Sequence, residues 1–198
     1  MDLMISKNSA PLVSATPRTN VFAVTISYAI GECALGKVLI ARSAWGVCAI
    51  LIGDNNDELE ADVAGRFPEA RLAANEAAVH DDLAKVIRFV NQPCEGLHLP
   101  LDLRGTPFQR RVWEKLRSIP VGRTVTYTEL ARWVCPLASA RAVAGACAAN
   151  PIALAVPCHR VVRADGGLAD YRWGIERKRE LIRREALCTG QLNGAEHA

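Results

Sequence analysis

No stretch of this 198-residue chain is both long enough and apolar enough to read as a membrane span. The longest uncharged run, residues 142–158, carries Asn150-Pro151 in its middle, a pair that breaks a spanning helix. The opening MDLMISKNSAPLVSATPRTN has no basic segment followed by an apolar one, so no secretory signal is expected. Residues 1–19 and 188–198 are expected to be flexible tails. No repeat and no low-complexity tract occurs. A disulfide framework is lacking too, because the seven cysteines (33, 48, 94, 135, 147, 158 and 188) are odd in number and scattered. That usage points to a reducing, cytoplasmic compartment. Metal-ligand spacing is equally poor: a site can be drawn only from Cys33, Cys48, Cys94 and His98, and Cys94-x3-His98 matches no tight ligand pair, so no metal is expected.

What is present is a folded chain, 50% hydrophobic, with an uneven charge. Residues 1–100 hold 8 Lys and Arg against 12 Asp and Glu, whereas residues 101–198 hold 16 against 9. A basic second half attached to an acidic first half suggests that only the second meets a polyanion, although a solvated basic face gives the same count. In the first half, VFAVTISYAI, KVLIARS and WGVCAILIG read as an antiparallel meander, followed by two helical patterns, NDELEADVAGRF and HDDLAKVIRFVNQ. QPCEGLHLPLDL marks a boundary. The second half is helical: TPFQ and TYTE are capping boxes opening PFQRRVWEKLRS and YTELARWV, and ASARAVAGACAA stops at Asn150-Pro151. The fold class is therefore α+β, a small sheet domain over residues 20–100 followed by a mostly helical domain over 101–187. The short helices either side of Cys135-Pro136 have helix-turn-helix spacing.

The third of those helices is nearly all alanine and glycine, and apart from Arg141 it has no long polar side chain. Readers of the major groove need Arg, Asn, Gln or Lys. A helix this thin suits a minor groove, about 6 Å wide, or else close packing on a neighbouring helix. Beyond it stands NPIALAVPCHRVV. Cys158 there is either a small core residue or a nucleophile. In a regular strand it could not cooperate with His159, because successive side chains face opposite ways, but Pro157 bends the chain between them and the apolar run. A thiol, with its free pKa of about 8.5, becomes a strong nucleophile only as thiolate. His159 can help if a carboxylate orients it, and Glu185 on GIERKRELIRREA is the acid near a buried side marked by Ile175, Leu181, Ile182 and Leu187.

NPIALAVPCHRVV, taken with TVTYTELA, RAVAGACAANP, GLADYRWG and LIRREA, resembles the O6-alkylguanine-DNA alkyltransferase family, most closely the methyltransferase half of Ada-type proteins. The resemblance covers nearly the whole chain. It implies a monomeric DNA-repair protein acting on double-stranded DNA that contains O6-alkylguanine or, less readily, O4-alkylthymine. The alkyl group passes irreversibly to Cys158, once per molecule and without cofactor. It further implies a relay of Cys158, His159 and Glu185 through water, a bracing role for Asn150, and Tyr127 as donor to the base. On the same footing Arg141 fills the space of the flipped nucleotide on a helix whose Ala142 and Gly145 lie at the DNA, and Tyr171, Val161 and Arg172 hold the base. Asp170 departs from the glycine more usual at its position, which bears on substrate range. No cysteine occurs in the first twenty residues, so the zinc-binding, gene-activating half of full Ada proteins is expected to be missing. Two other readings stay open. One is a cysteine hydrolase, for which no distant histidine is well placed, and the other a helix-turn-helix binding module in which Cys158 is inert.

Overall fold

The computed structural model describes residues 24–190, so the expected tail over 1–19 and positions 191–198 lie outside the described residues. Three strands, β1 (Thr25–Cys33), β2 (Gly36–Ser43) and β3 (Gly46–Gly53), form the antiparallel meander that the alternating segments imply. A fourth, β4 (Arg71–Ala74), was not expected. It pairs in parallel with β1, giving the order β3-β2-β1-β4 and making the sheet mixed. Four half-exposed residues carry no periodic signal, and only the pairing defines them as a strand.

Helix α1 (Asn56–Arg66) starts at an Asn55 cap, and α2 (Glu76–Asn91) at an Asn75 cap whose carbonyl oxygen accepts from Ala78 N at 3.2 Å. Both cover the sheet through Leu59, Val63, Val79, Leu83, Val86 and Phe89. In the second half, α3 (Pro107–Arg117) and α4 (Tyr127–Val134) open on the two expected capping boxes, Thr106 with Gln109 and Thr126 with Glu129. Helix α5 (Ala140–Ala148) follows from a Ser139 cap. It is tied to α3 by Trp113, whose indole donates to Ala146 O at 2.8 Å. Two short parallel strands, β5 (Val125–Thr126) and β6 (Val161–Val162), precede the last helix, α6 (Ile175–Cys188). Among the described residues no helix is long and apolar enough to cross a membrane.

Backbone hydrogen bonds join the two halves. Asp102 N donates to Val47 O (2.9 Å), Ile50 N to Pro151 O (3.0 Å) and Ala153 N to Ile50 O (2.9 Å), so β3 is the platform for residues 151–153. One apolar core runs through both.

Two sequence expectations need correction. The buried side of α6 is Lys178, Leu181 and Glu185, spaced 3 and 4 apart, whereas Ile175 and Leu187 are exposed. Here polar groups with partners displace apolar ones from the inner face. Position 188 does not begin a tail: Cys188 closes α6 and forms a disulfide with Cys94, their Cα atoms 5.1 Å apart. That bond also removes Cys94 from any metal-ligand set, and no cluster of three or more His, Cys, Asp or Glu suited to a metal occurs among the described residues.

Candidate active site

Between α5 and β6 the chain makes the tight turns that present Cys158. Asn150, fully buried at the end of α5, holds them from inside: its Oδ1 accepts from Ile152 N at 2.9 Å and its Nδ2 donates to Val156 O at 2.8 Å. Within that embrace Leu154 takes φ +68°, the only non-glycine among the described residues at positive φ. Such a conformation costs on the order of 1–2 kcal/mol and persists only where neighbouring contacts fix it. Pro157 then turns the chain into a single 3₁₀ turn, Cys158–Arg160, rather than a strand. That geometry answers the objection raised by strand alternation.

The thiol is buried, and Asn150 Nδ2 also donates to Cys158 Sγ at 3.3 Å. His159 Nε2 lies 2.9 Å from Glu185 Oε1. Glu185 is enclosed by further donors: Arg160 gives Nε to Oε2 and Nη2 to Oε1, each at 2.8 Å, and Gly122 N reaches Oε2 at 3.2 Å. Gly122 sits at φ +77°, and a Cβ there would lie 3.0 Å from Glu185 O and 2.6 Å from Thr189 Cγ2, so only glycine lets this loop approach α6. Lys178, fully buried, donates to Val161 O at 2.6 Å and to Ala169 O at 3.4 Å, joining the two walls beside the thiol.

The electrostatics follow from burial. Desolvation alone would raise the Glu185 carboxyl, but its hydrogen bonds to His159 and Arg160 and the charge on Arg160 outweigh it and bring it down to about 2. Desolvation lowers His159 more than its bond to Glu185 raises it. Arg160 is a permanent cation, so it is the partner that keeps Glu185 ionised, and the imidazole is neutral. A carboxylate only accepts, so His159 carries its proton on Nε2 and leaves Nδ1 as a proton acceptor, buried and without a partner among the described residues. Burial pushes the Cys158 thiol up, against the Asn150 hydrogen bond and the Lys178 charge that lower it. The resting sulfur is therefore a protonated thiol, and the imidazole of the next residue is neutral.

A cleft of about 670 Å³ opens onto this sulfur. Tyr127, Arg141, Gly145, Tyr171 and Arg172 line it together with Cys158. Arg141 is exposed near the start of α5 and makes no ion pair among the described residues. Ala142 lies beside it on the exposed face. Burial raises the Tyr127 and Tyr171 hydroxyls, so both stay protonated, and that of Tyr171 has no partner among the described residues. Arg172 lines the cleft but its guanidinium is taken by Asp62 of α1 at 2.9 Å. Val161 stands behind the wall, paired with Val125 and with its carbonyl on Lys178. The sequence reading missed Lys178, Arg160 and Cys147, the last a buried thiol on the same cleft. Only the 3-and-4 spacing of Lys178 to Glu185 hinted at a shared face.

Comparison with known proteins adds four findings. A family model described as 6-O-methylguanine DNA methyltransferase, DNA binding domain, matches residues 107–187. The chain is 47% identical over 163 residues to the bifunctional transcriptional activator/DNA repair enzyme Ada of Escherichia coli, covering 82% of this chain and 46% of that protein. Against an inducible methylated-DNA–protein-cysteine methyltransferase of Bacillus subtilis, identity is 31%, covering 73% of this chain and 82% of the other. The crystal structure of a Mycobacterium tuberculosis OGT in complex with DNA superimposes with a TM-score of 0.64 at 31% identity, covering 82% and 94% of the two chains. The chain thus spans about half the length of the Escherichia coli protein.

Proposed function

The chain belongs to the O6-methylguanine DNA methyltransferase family, and from that membership we propose that Cys158 takes an alkyl group from the O6 of guanine, or less readily the O4 of thymine, in duplex DNA. The observation that carries this reading is the shared opening: the thiol and the thin helix α5 meet at one cleft, with the His159–Glu185 pair buried behind it. The alkyl carbon is shielded in a stacked duplex, so the nucleotide has to rotate out, at a cost of a few kcal/mol. Arg141, which makes no ion pair among the described residues, occupies the gap. Sulfur attacks the sp³ carbon as the carbon–oxygen bond breaks, the thiol proton goes to the His159 base, and the departing oxygen's charge is met by the Tyr127 hydroxyl. Guanine regains one proton, and Cys158 becomes a thioether that water cannot cleave. All these groups come from one chain, so a monomer suffices, with residues 101–187 as the acceptor unit, and a thiol acceptor suits a reducing cytoplasm. Incubation with an oligonucleotide containing O6-methylguanine, followed by intact-mass analysis, tests the reading. One added methyl on Cys158 supports it, whereas unchanged protein favours a binding module and repeated turnover a hydrolase.

Two variants address α5. Arg141→Ala is expected to slow transfer from duplex DNA by tenfold or more, about 1.4 kcal/mol of barrier, and to leave reaction with the free alkylated base nearly unchanged. Equal losses on both would remove its part in extrusion. Gly145 is exposed, and a Cβ placed there meets nothing within 4 Å, so packing within the protein does not require glycine. Gly145→Ala is expected to raise stability by about 0.5–1 kcal/mol. If α5 lies in the minor groove, the same methyl weakens DNA binding severalfold. Melting and filter-binding assays would then move in opposite directions.

A further inference from the structure

The Cys94–Cys188 disulfide ties the last residue of α6 to the 3₁₀ turn Pro93–Glu95 that follows α2. In a reducing cytoplasm a bond of this kind is usually transient or redox-sensing rather than a permanent staple. Cys94 is exposed and Cys188 partly so, whereas Cys158 and Cys147 are buried, which makes the pair the accessible thiols at this end of the molecule. A cleft of about 350 Å³ adjoins Cys94, with His98 and Arg117 in its wall, a setting that accepts a small anionic disulfide. One turn before Cys188 on the same helix lies Glu185, which holds His159, Arg160 and the Gly122 amide.

We propose that Cys94 and Cys188 are a reversible redox-modification site, oxidised by small-molecule disulfides such as glutathione disulfide, whose closed form clamps the end of α6 that carries Glu185. The Cys94 thiolate attacks one glutathione sulfur, forming a mixed disulfide and releasing one glutathione thiolate. Cys188 then attacks the Cys94 sulfur, closes the protein disulfide and releases the second. Two protein thiols lose two electrons, one glutathione disulfide gains them, and the two protein protons end on the two glutathione thiols.

The test does not depend on alkyl transfer. The full-length protein, equilibrated in reduced or oxidised glutathione, is followed by intact mass, thermal melting and hydrogen exchange at the Gly122 amide. The oxidised form is expected to lose two hydrogens, to melt roughly 10 °C higher because the closed loop spans 94 residues, and to exchange Gly122 more slowly. Cys94→Ser and Cys188→Ser should abolish all three changes, while Cys135→Ser keeps them. A wild-type protein that retains both thiols in excess glutathione disulfide, or whose melting and Gly122 exchange are the same in both states, overturns the proposal.

Discussion

Cys158→Ala is expected to abolish alkyl transfer completely while leaving affinity for duplex DNA within about twofold and the fold intact. Loss of activity follows because no other group on the cleft can replace the sulfur. Cys147 shares that cleft, but burial and the neighbouring Cys158 both raise its thiol, so it stays protonated, and no base accompanies it. Survival of the fold follows from the hydrogen-bond pattern. When Sγ is removed, Asn150 Nδ2 keeps its bond to Val156 O at 2.8 Å, so no buried donor is orphaned. The remaining cost is a cavity of one sulfur atom, on the order of 1 kcal/mol. Intact-mass analysis after exposure to O6-methylguanine DNA reads the first expectation, and a binding isotherm the second. A variant that still gains a methyl would assign the chemistry to Cys147. One that loses DNA affinity would mean that the cysteine shapes the surface and not the reaction.

The features legible in the sequence are those that depend on near neighbours in the chain. Both capping boxes, the alanine-rich helix with its lone arginine, and the bend at Pro157 are local, and each was readable within a dozen residues. The Cys158-His159 pair was visible but chemically ambiguous until the resemblance supplied a context. What stayed hidden depends on contacts across the fold. Strand β4 exists only because β1 lies beside it. The inner face of α6 was only partly legible because hydrophobic periodicity is blind to a buried lysine or glutamate whose partners are the distant Gly122, His159, Arg160, Val161 and Ala169. The resting state of the sulfur stayed hidden for the same reason, because burial, which sequence does not show, raises the thiol.

The same buried constellation makes Glu185→Gln the most damaging conservative change available. Four donors converge on two carboxylate oxygens: His159 Nε2 and Arg160 Nη2 on one, Arg160 Nε and Gly122 N on the other. Glutamine keeps the shape but turns one oxygen into an NH₂ group, which sets donors against donors and leaves Arg160 without its counter-charge. Removing one partner of a buried ion pair costs about 3–5 kcal/mol, which in a domain of this size is roughly 10 °C of melting temperature. Transfer should fall by a factor on the order of 10²–10⁴ even at low temperature where the variant is folded, because His159 loses the acceptor that fixes its tautomer. Acid offers an independent check. The carboxyl falls from 4.5 in an open chain to about 2 in the fold, so its contribution is present above about pH 4.5 and is lost as pH drops toward 2. That amounts to on the order of 3 kcal/mol over the window. Urea midpoints measured between pH 5 and 2 should therefore fall steeply for the native protein and less for Glu185→Gln. Parallel curves for the two proteins, with transfer undiminished in the variant, would mean that Glu185 neither anchors the fold nor orients the base.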